Sequence, residues 1–149
     1  MANEQWDKRF LDLALLIASW SKDPSTQVGA IIVDGLNRVK GVGFNGFARG
    51  IKDANPLLKD RKSKLDRMIH AEINAVLNSP SNLDGCTIYL TIPPCNMCAN
   101  FLIQAGIKRI VWFTPSDELI QRWGESWALT YDLLCEAGIK TTEYAKDDI

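Results

Sequence analysis

His70 is the only histidine in the 149-residue chain, and Glu72 follows it by two positions in the stretch RMIHAEINAVLN. Farther on, Pro94-Cys95-Asn96-Met97-Cys98 supplies a C-x-x-C after an apolar run. A structural zinc held by four thiolates needs a second C-x-x-C. Cys86 and Cys135 do not form one, because they lie far apart, each inside an apolar segment where a core thiol is expected. A redox pair is usually placed after the first strand of a βαβ unit. The remaining chemistry is a catalytic zinc, which takes three protein ligands and keeps a fourth position for water. His70, Cys95 and Cys98 supply the three.

Both sets of ligands fall at expected helix starts, where the helix dipole favours the thiolate that binds metal. Positions i and i+2 face different sides of a regular helix. In a first turn, however, His70 and Glu72 can converge on a metal lying off the helix end. Glu72 would then stand beside the bound water, able to take its proton and pass it to a substrate nitrogen. The joint pattern H-x-E…P-C-x-x-C is the signature of zinc nucleobase deaminases.

The elements that must position these residues can be read from periodicity. Residues 6–20 carry Phe10, Leu13, Ala14, Ile17 and Ala18 at helical spacing. Residues 28–33 and 39–44 are short β-branched runs joined by Asp34-Gly35-Leu36-Asn37, which predicts a β-hairpin. Residues 47–64 have glycine, proline and charge without periodicity and read as a long loop of the kind that serves as a lid or binding loop. Helices are expected at 69–77, 95–105 and 117–136, and strands at 86–92, 107–113 and 138–144. The order α-β-β-α-β-α-β-α-β implies an antiparallel hairpin followed by parallel crossovers. The fold class is therefore α/β, a mixed five-stranded sheet with helices on both faces, in one domain over residues 1–149.

Composition narrows the function classes. Hydrophobic residues make up 46% and charged residues 23%, near globular averages. The formal net charge of -1 gives no long-range attraction for a polyanion, so nucleic acid is not an expected partner. The basic run LLKDRKSKLDR reads by itself as a solvated face. No charged n-region leads into an apolar stretch, and no apolar run is long enough to span a bilayer, so a cytoplasmic protein without a membrane role is expected.

Five segments carry a resemblance: SKDPSTQVGAIIVD, GVGFNG, HAEINA, PPCNMC and IQAGIKRIV. Together they resemble the deoxycytidylate (dCMP) deaminases of the zinc-dependent cytidine/deoxycytidylate deaminase family, and they are spread over nearly the whole chain. The resemblance implies the three-layer α/β/α cytidine-deaminase-like fold. It also implies hydrolysis of dCMP to dUMP and ammonia, with Glu72 protonating the ring nitrogen and helping the amine leave. Asn45 resembles the residue that bonds the sugar 3′-hydroxyl, Ser21, Lys22 and Asp23 are placed for the 5′-phosphate end, and Ala71 belongs to the substrate site. Among Trp112, Phe113, Trp123 and Trp127, Trp123 is the aromatic chosen to stack on the base.

The family is commonly a homohexamer activated by dCTP with Mg²⁺ and inhibited by dTTP. The resemblance places that effector site at Gly43, Phe44, Asn45 and Gly46, with Lys59, Arg61 and Lys62 available for a triphosphate. Some members hold an additional structural zinc, but no cysteine precedes Cys86 and no second histidine exists, so one Zn²⁺ per subunit is expected. The competing readings are a tRNA adenosine deaminase, which shares the metal motif, and a nucleotide sensor that keeps the fold without turnover. The near-neutral charge opposes the first, and Glu72 opposes the second.

Overall fold

The computed structural model describes residues 4–148. Helix α1 (Glu4–Ala18) leads into a hairpin of β1 (Gly29–Val33) and β2 (Val39–Phe44). After the two-residue strand β3 (Gly46–Phe47) come α2 (Asn55–Lys59), α3 (Arg61–Arg67) and the short strand β4 (Met68–Ile69), which pairs with β3. The remainder alternates: α4 (Ala71–Leu77), β5 (Thr87–Leu90), α5 (Asn96–Gln104), β6 (Arg109–Phe113), α6 (Asp117–Glu136) and β7 (Lys140–Tyr144). The main sheet runs β2-β1-β5-β6-β7. Strand β1 is antiparallel to both neighbours, while β5, β6 and β7 are parallel, as crossover helices require.

Period-two alternation sorts the sheet into two cores. Ile31, Val33, Tyr89, Val111 and Phe113 meet Phe10, Leu11, Ala14 and Ile17 of α1. On the other face, Ala30, Ile32, Ile88, Leu90, Ile110 and Trp112 meet Ala71 and Ala75 of α4, Ala99 and Leu102 of α5, and Leu134 of α6. One helix covers the first face and three cover the second.

Helix α4 lies unusually close to β2, and glycine makes that approach possible. A Cβ on Gly43 would stand 2.4 Å from the Ala71 carbonyl oxygen and the Ala75 nitrogen. Asn74 of α4 and Asn78, its C-cap, then donate to the Phe44 and Val42 carbonyls of the edge strand. Gly43→Ala is expected to cost about 1–3 kcal/mol through overpacking, measured as a shift of the denaturation midpoint. Because it must push α4 outward, zinc retention should also fall.

A buried polar cluster ties α1 to three strands. Asp7, 1% exposed, accepts from both Arg109 Nη atoms at 2.8 and 2.7 Å and from the Tyr89 and Tyr144 hydroxyls at 2.7 Å each. Burial alone would raise the Asp7 pKa, but these four donors outweigh it and hold the carboxyl below its usual value.

Three expectations need correction. Residues 47–64 are not a structureless loop: α2 and most of α3 occupy their second half. Pro56 sits in the first turn of α2, and Asp60 caps α3 by accepting from the Ser63 N–H. Among the described side chains of these helices only Leu58 and Lys64 are buried, so no apolar stripe marks them. Cys135 is exposed, whereas Cys86 is buried as expected. Helix α1 ends at Ala18, leaving Trp20 outside it and 56% exposed. Among the described residues no helix is long and apolar enough to cross a membrane.

Candidate metal centre and substrate pocket

His70 and Cys95 both occupy N-cap positions, in extended backbone, at the starts of α4 and α5. Cys98 lies in the first turn of α5, and its backbone N–H donates to the Cys95 sulfur at 3.5 Å. His70 Nδ1 stands 3.5 Å from Cys95 Sγ and 3.3 Å from Cys98 Sγ, and the three ligand atoms all lie within 4.8 Å of one another. Zn–S bonds of about 2.3 Å and a Zn–N bond of about 2.0 Å in a tetrahedron put N and S about 3.5 Å apart. The donor set therefore fits zinc in both chemistry and spacing.

Electrostatics agree with that reading. The Cys98 side chain bonds to Cys95 and, with neighbouring His70, brings the Cys95 thiol down to about 4. The same pairing and burial push the Cys98 thiol upward. The side-chain contact with Cys95 also raises the His70 pKa. Glu72, 4% exposed, is pushed up to about 7 by burial, against the opposing pull of His70. A carboxyl poised near neutrality beside a metal site is suited to moving protons in both directions.

His70, Glu72 and Cys95 line one pocket, with Cys98 close behind in the metal group. Ala71, Asp23, Asn45 and Trp123, four of the residues proposed for the substrate, line it. Trp127 joins them, while Trp112 and Phe113 are core residues. Trp123 stands edge-on to His70, with ring centroids 6.5 Å apart and planes at 89°, and its buried indole N–H has no partner among the described residues. Ser21 and Lys22 do not line the pocket. Ser21 is buried and donates to the Asn45 carbonyl, and Lys22 pairs with Asp53 at 2.7 Å on the surface.

Asn45 does structural work as well. Its side-chain carbonyl accepts from the Val28 N–H, and its amide donates to the Thr26 carbonyl at 2.9 Å, fixing the entry to β1. Gly43 is occupied by its packing against α4, and Gly46 belongs to β3. Lys59, Arg61 and Lys62 are exposed, and no hydrogen bond or ion pair among the described residues joins them to residues 43–46.

Four polar residues at this pocket were absent from the sequence expectations: Ser25, Thr26, Lys64 and Arg122. The Lys64 ammonium is buried, 3.2 Å from Asp23 and hydrogen-bonded to Ser25 Oγ. Burial would raise the Asp23 pKa, but bonds from the Ser25 and Thr26 backbone and from Lys64 lower it on balance. Arg122 reaches Thr26 Oγ1 at 3.4 Å from the opposite wall. The available signal was the basic run containing Lys64, whose inward member cannot be told from its solvated neighbours without the phase of α3.

Residues 4–114 match the model of the cytidine and deoxycytidylate deaminase zinc-binding region. An uncharacterised deaminase of Aliivibrio fischeri is 41% identical over 93% of this chain and 92% of its own length. The deoxycytidylate deaminase of Homo sapiens is 40% identical over 74% of this chain, a match that spans 65% of the human protein. Among solved structures, the dCMP deaminase of the cyanophage S-TIM5 in complex with dCMP and dUMP superposes with a TM-score of 0.79, covering 96% of this chain and 99% of that one at 23% identity. The family model spans most of this chain and the Aliivibrio relative is matched over nearly its whole length, so the chain belongs to the cytidine and deoxycytidylate deaminase family.

Proposed function

We propose that this protein hydrolyses dCMP to dUMP and ammonia in the cytoplasm, using one Zn²⁺ held by His70, Cys95 and Cys98. The observation that carries the reading is a buried Glu72, pushed to about 7, in the same pocket wall as His70 and Cys95, with Cys98 directly behind them. Bound zinc would supply the acidity of its water. Glu72 takes one proton from the attacking water and delivers it to N3 of the cytosine ring as the water oxygen bonds to C4. It then carries the remaining proton of that oxygen to the amino group, so that the C4–N bond breaks, a C4 carbonyl remains and ammonia leaves. Trp123 and Trp127 wall the ring and limit water access.

Choice of a monophosphate rests on the far end of the pocket. Lys64 and Arg122 bring two cations there, with the Ser25 and Thr26 hydroxyls between them. Asp23 and Ser25 use two of the three Lys64 donors, which leaves one for a phosphate oxygen. Asn45 keeps the sugar role, since one lone pair of its carbonyl stays available beside the Val28 bond. Activation by dCTP with Mg²⁺, inhibition by dTTP and hexamer formation are the finer parts of the proposal. Lys59, Arg61 and Lys62, exposed and without an ion-pair partner among the described residues, support the effector site, with Gly43 to Gly46 as its other wall.

Ammonia release from dCMP, dCTP, deoxycytidine and an adenosine-containing anticodon stem-loop tests the reading. The zinc-loaded protein is expected to favour dCMP, and consumption of the stem-loop alone would refute it. Arg122→Gln should lower kcat/KM for dCMP about 10–100-fold, the effect of losing one charge-assisted hydrogen bond. Turnover of deoxycytidine should stay unchanged.

A further inference from the structure

Ser126 and Thr130 stand four residues apart on α6, and both reach the turn that carries Cys95. Thr130, 1% exposed, donates through Oγ1 to the Pro94 carbonyl at 2.9 Å. Ser126 Oγ accepts from the Asn96 backbone N–H at 2.9 Å and donates to Asn96 Oδ1 at 2.8 Å. The two hydroxyls thus grip the residue before and the residue after the metal ligand. The Asn96 N–H is among the first donors of α5, which have no partner inside the helix. Without Ser126 that donor would need another partner, and the backbone on either side of Cys95 would be freer to move.

We propose that Ser126 and Thr130 are positioning residues for the zinc site, fixing the Pro94-Cys95-Asn96 turn so that Cys95 Sγ stays at ligand distance from His70 Nδ1. The family model ends at residue 114, so this grip comes from a part of the chain outside the matched region. Trp123 and Trp127 project from the same helix into the pocket wall. The grip therefore couples the wall over the substrate to the turn that holds the metal. Partners of this kind, which orient a ligand without touching the metal, commonly change metal affinity by about 10–100-fold.

The test reads metal binding directly and does not depend on which substrate the enzyme takes. Zinc affinity is measured by equilibrium competition with a chromophoric chelator for the wild type, Ser126→Ala, Thr130→Val and the conservative Ser126→Thr and Thr130→Ser. The thiolate-to-metal charge-transfer band of the Co²⁺-loaded proteins is recorded alongside. Ser126→Ala and Thr130→Val are each expected to weaken zinc binding about 10-fold or more and to shift the cobalt band. The hydroxyl-retaining variants should restore both. If the two hydroxyls only fasten α6 to α5, the metal-free variants will melt earlier while zinc affinity and the cobalt band match the wild type, and the proposal is overturned. Should Thr130→Val fail to fold, Ser126→Ala at its half-buried position decides the matter by the same two readouts.

Discussion

Glu72→Gln is expected to lower kcat for dCMP by about 10²–10⁴-fold, the usual contribution of a positioned general acid–base group. Zinc should stay bound at one ion per chain, because the proposed ligand atoms, the group found among the described residues, are those of His70, Cys95 and Cys98. The amide keeps the shape and polarity of the carboxyl and loses only its capacity to exchange a proton. Burial holds Glu72 near 7, so the wild-type group can both accept and donate at neutral pH, which an unperturbed carboxylate would do poorly. Kinetics with metal content measured on the same sample check the prediction. A variant that turns over dCMP at the wild-type rate would remove Glu72 from the mechanism.

Asp7→Asn should cost about 3–5 kcal/mol at neutral pH, the penalty for breaking a buried ion pair from one side. Arg109 would keep its place across β6 but lose its only anion among the described residues, and the Tyr89 and Tyr144 hydroxyls would lose a charged acceptor. The pH dependence follows from the lowered pKa of Asp7. Its contribution is complete above 3.8, the unfolded value, and is lost as pH falls through the lower folded value. Denaturant midpoints should therefore separate the two proteins widely at pH 7 and bring them together in strong acid. A constant gap across that range would show that Asp7 does not stabilise the fold as a carboxylate.

The parts of this molecule that could be read from sequence are those with a fixed spacing or a strong period. His70, Glu72, Cys95 and Cys98 were legible because zinc chemistry restricts their number and types, and α6 because its 20 residues repeat an apolar pattern over several turns. The hairpin was marked by two β-branched runs around a turn. Helices α2 and α3 left no such trace, since their described side chains bury only Leu58 and Lys64 and their caps are single residues. Lys64 and Arg122 were missed for a related reason. A lysine turned inward onto Asp23 looks the same in sequence as Lys62, which faces solvent. Ser126 and Thr130 were equally silent, because hydroxyls on a long amphipathic helix are common and only the crossing of α6 over the start of α5 gives them a partner. Asn45 shows the converse: the family resemblance implied a sugar contact, and the bond the structure gives its side chain is from the Val28 N–H at the entry to β1.

The most direct measurement is turnover of dCMP by the zinc-reconstituted protein, with dUMP and ammonia quantified together. Equal amounts of the two products are expected, lost on chelation and regained when Zn²⁺ is restored. A protein that binds one zinc through His70, Cys95 and Cys98 and still leaves dCMP intact would contradict the proposed function.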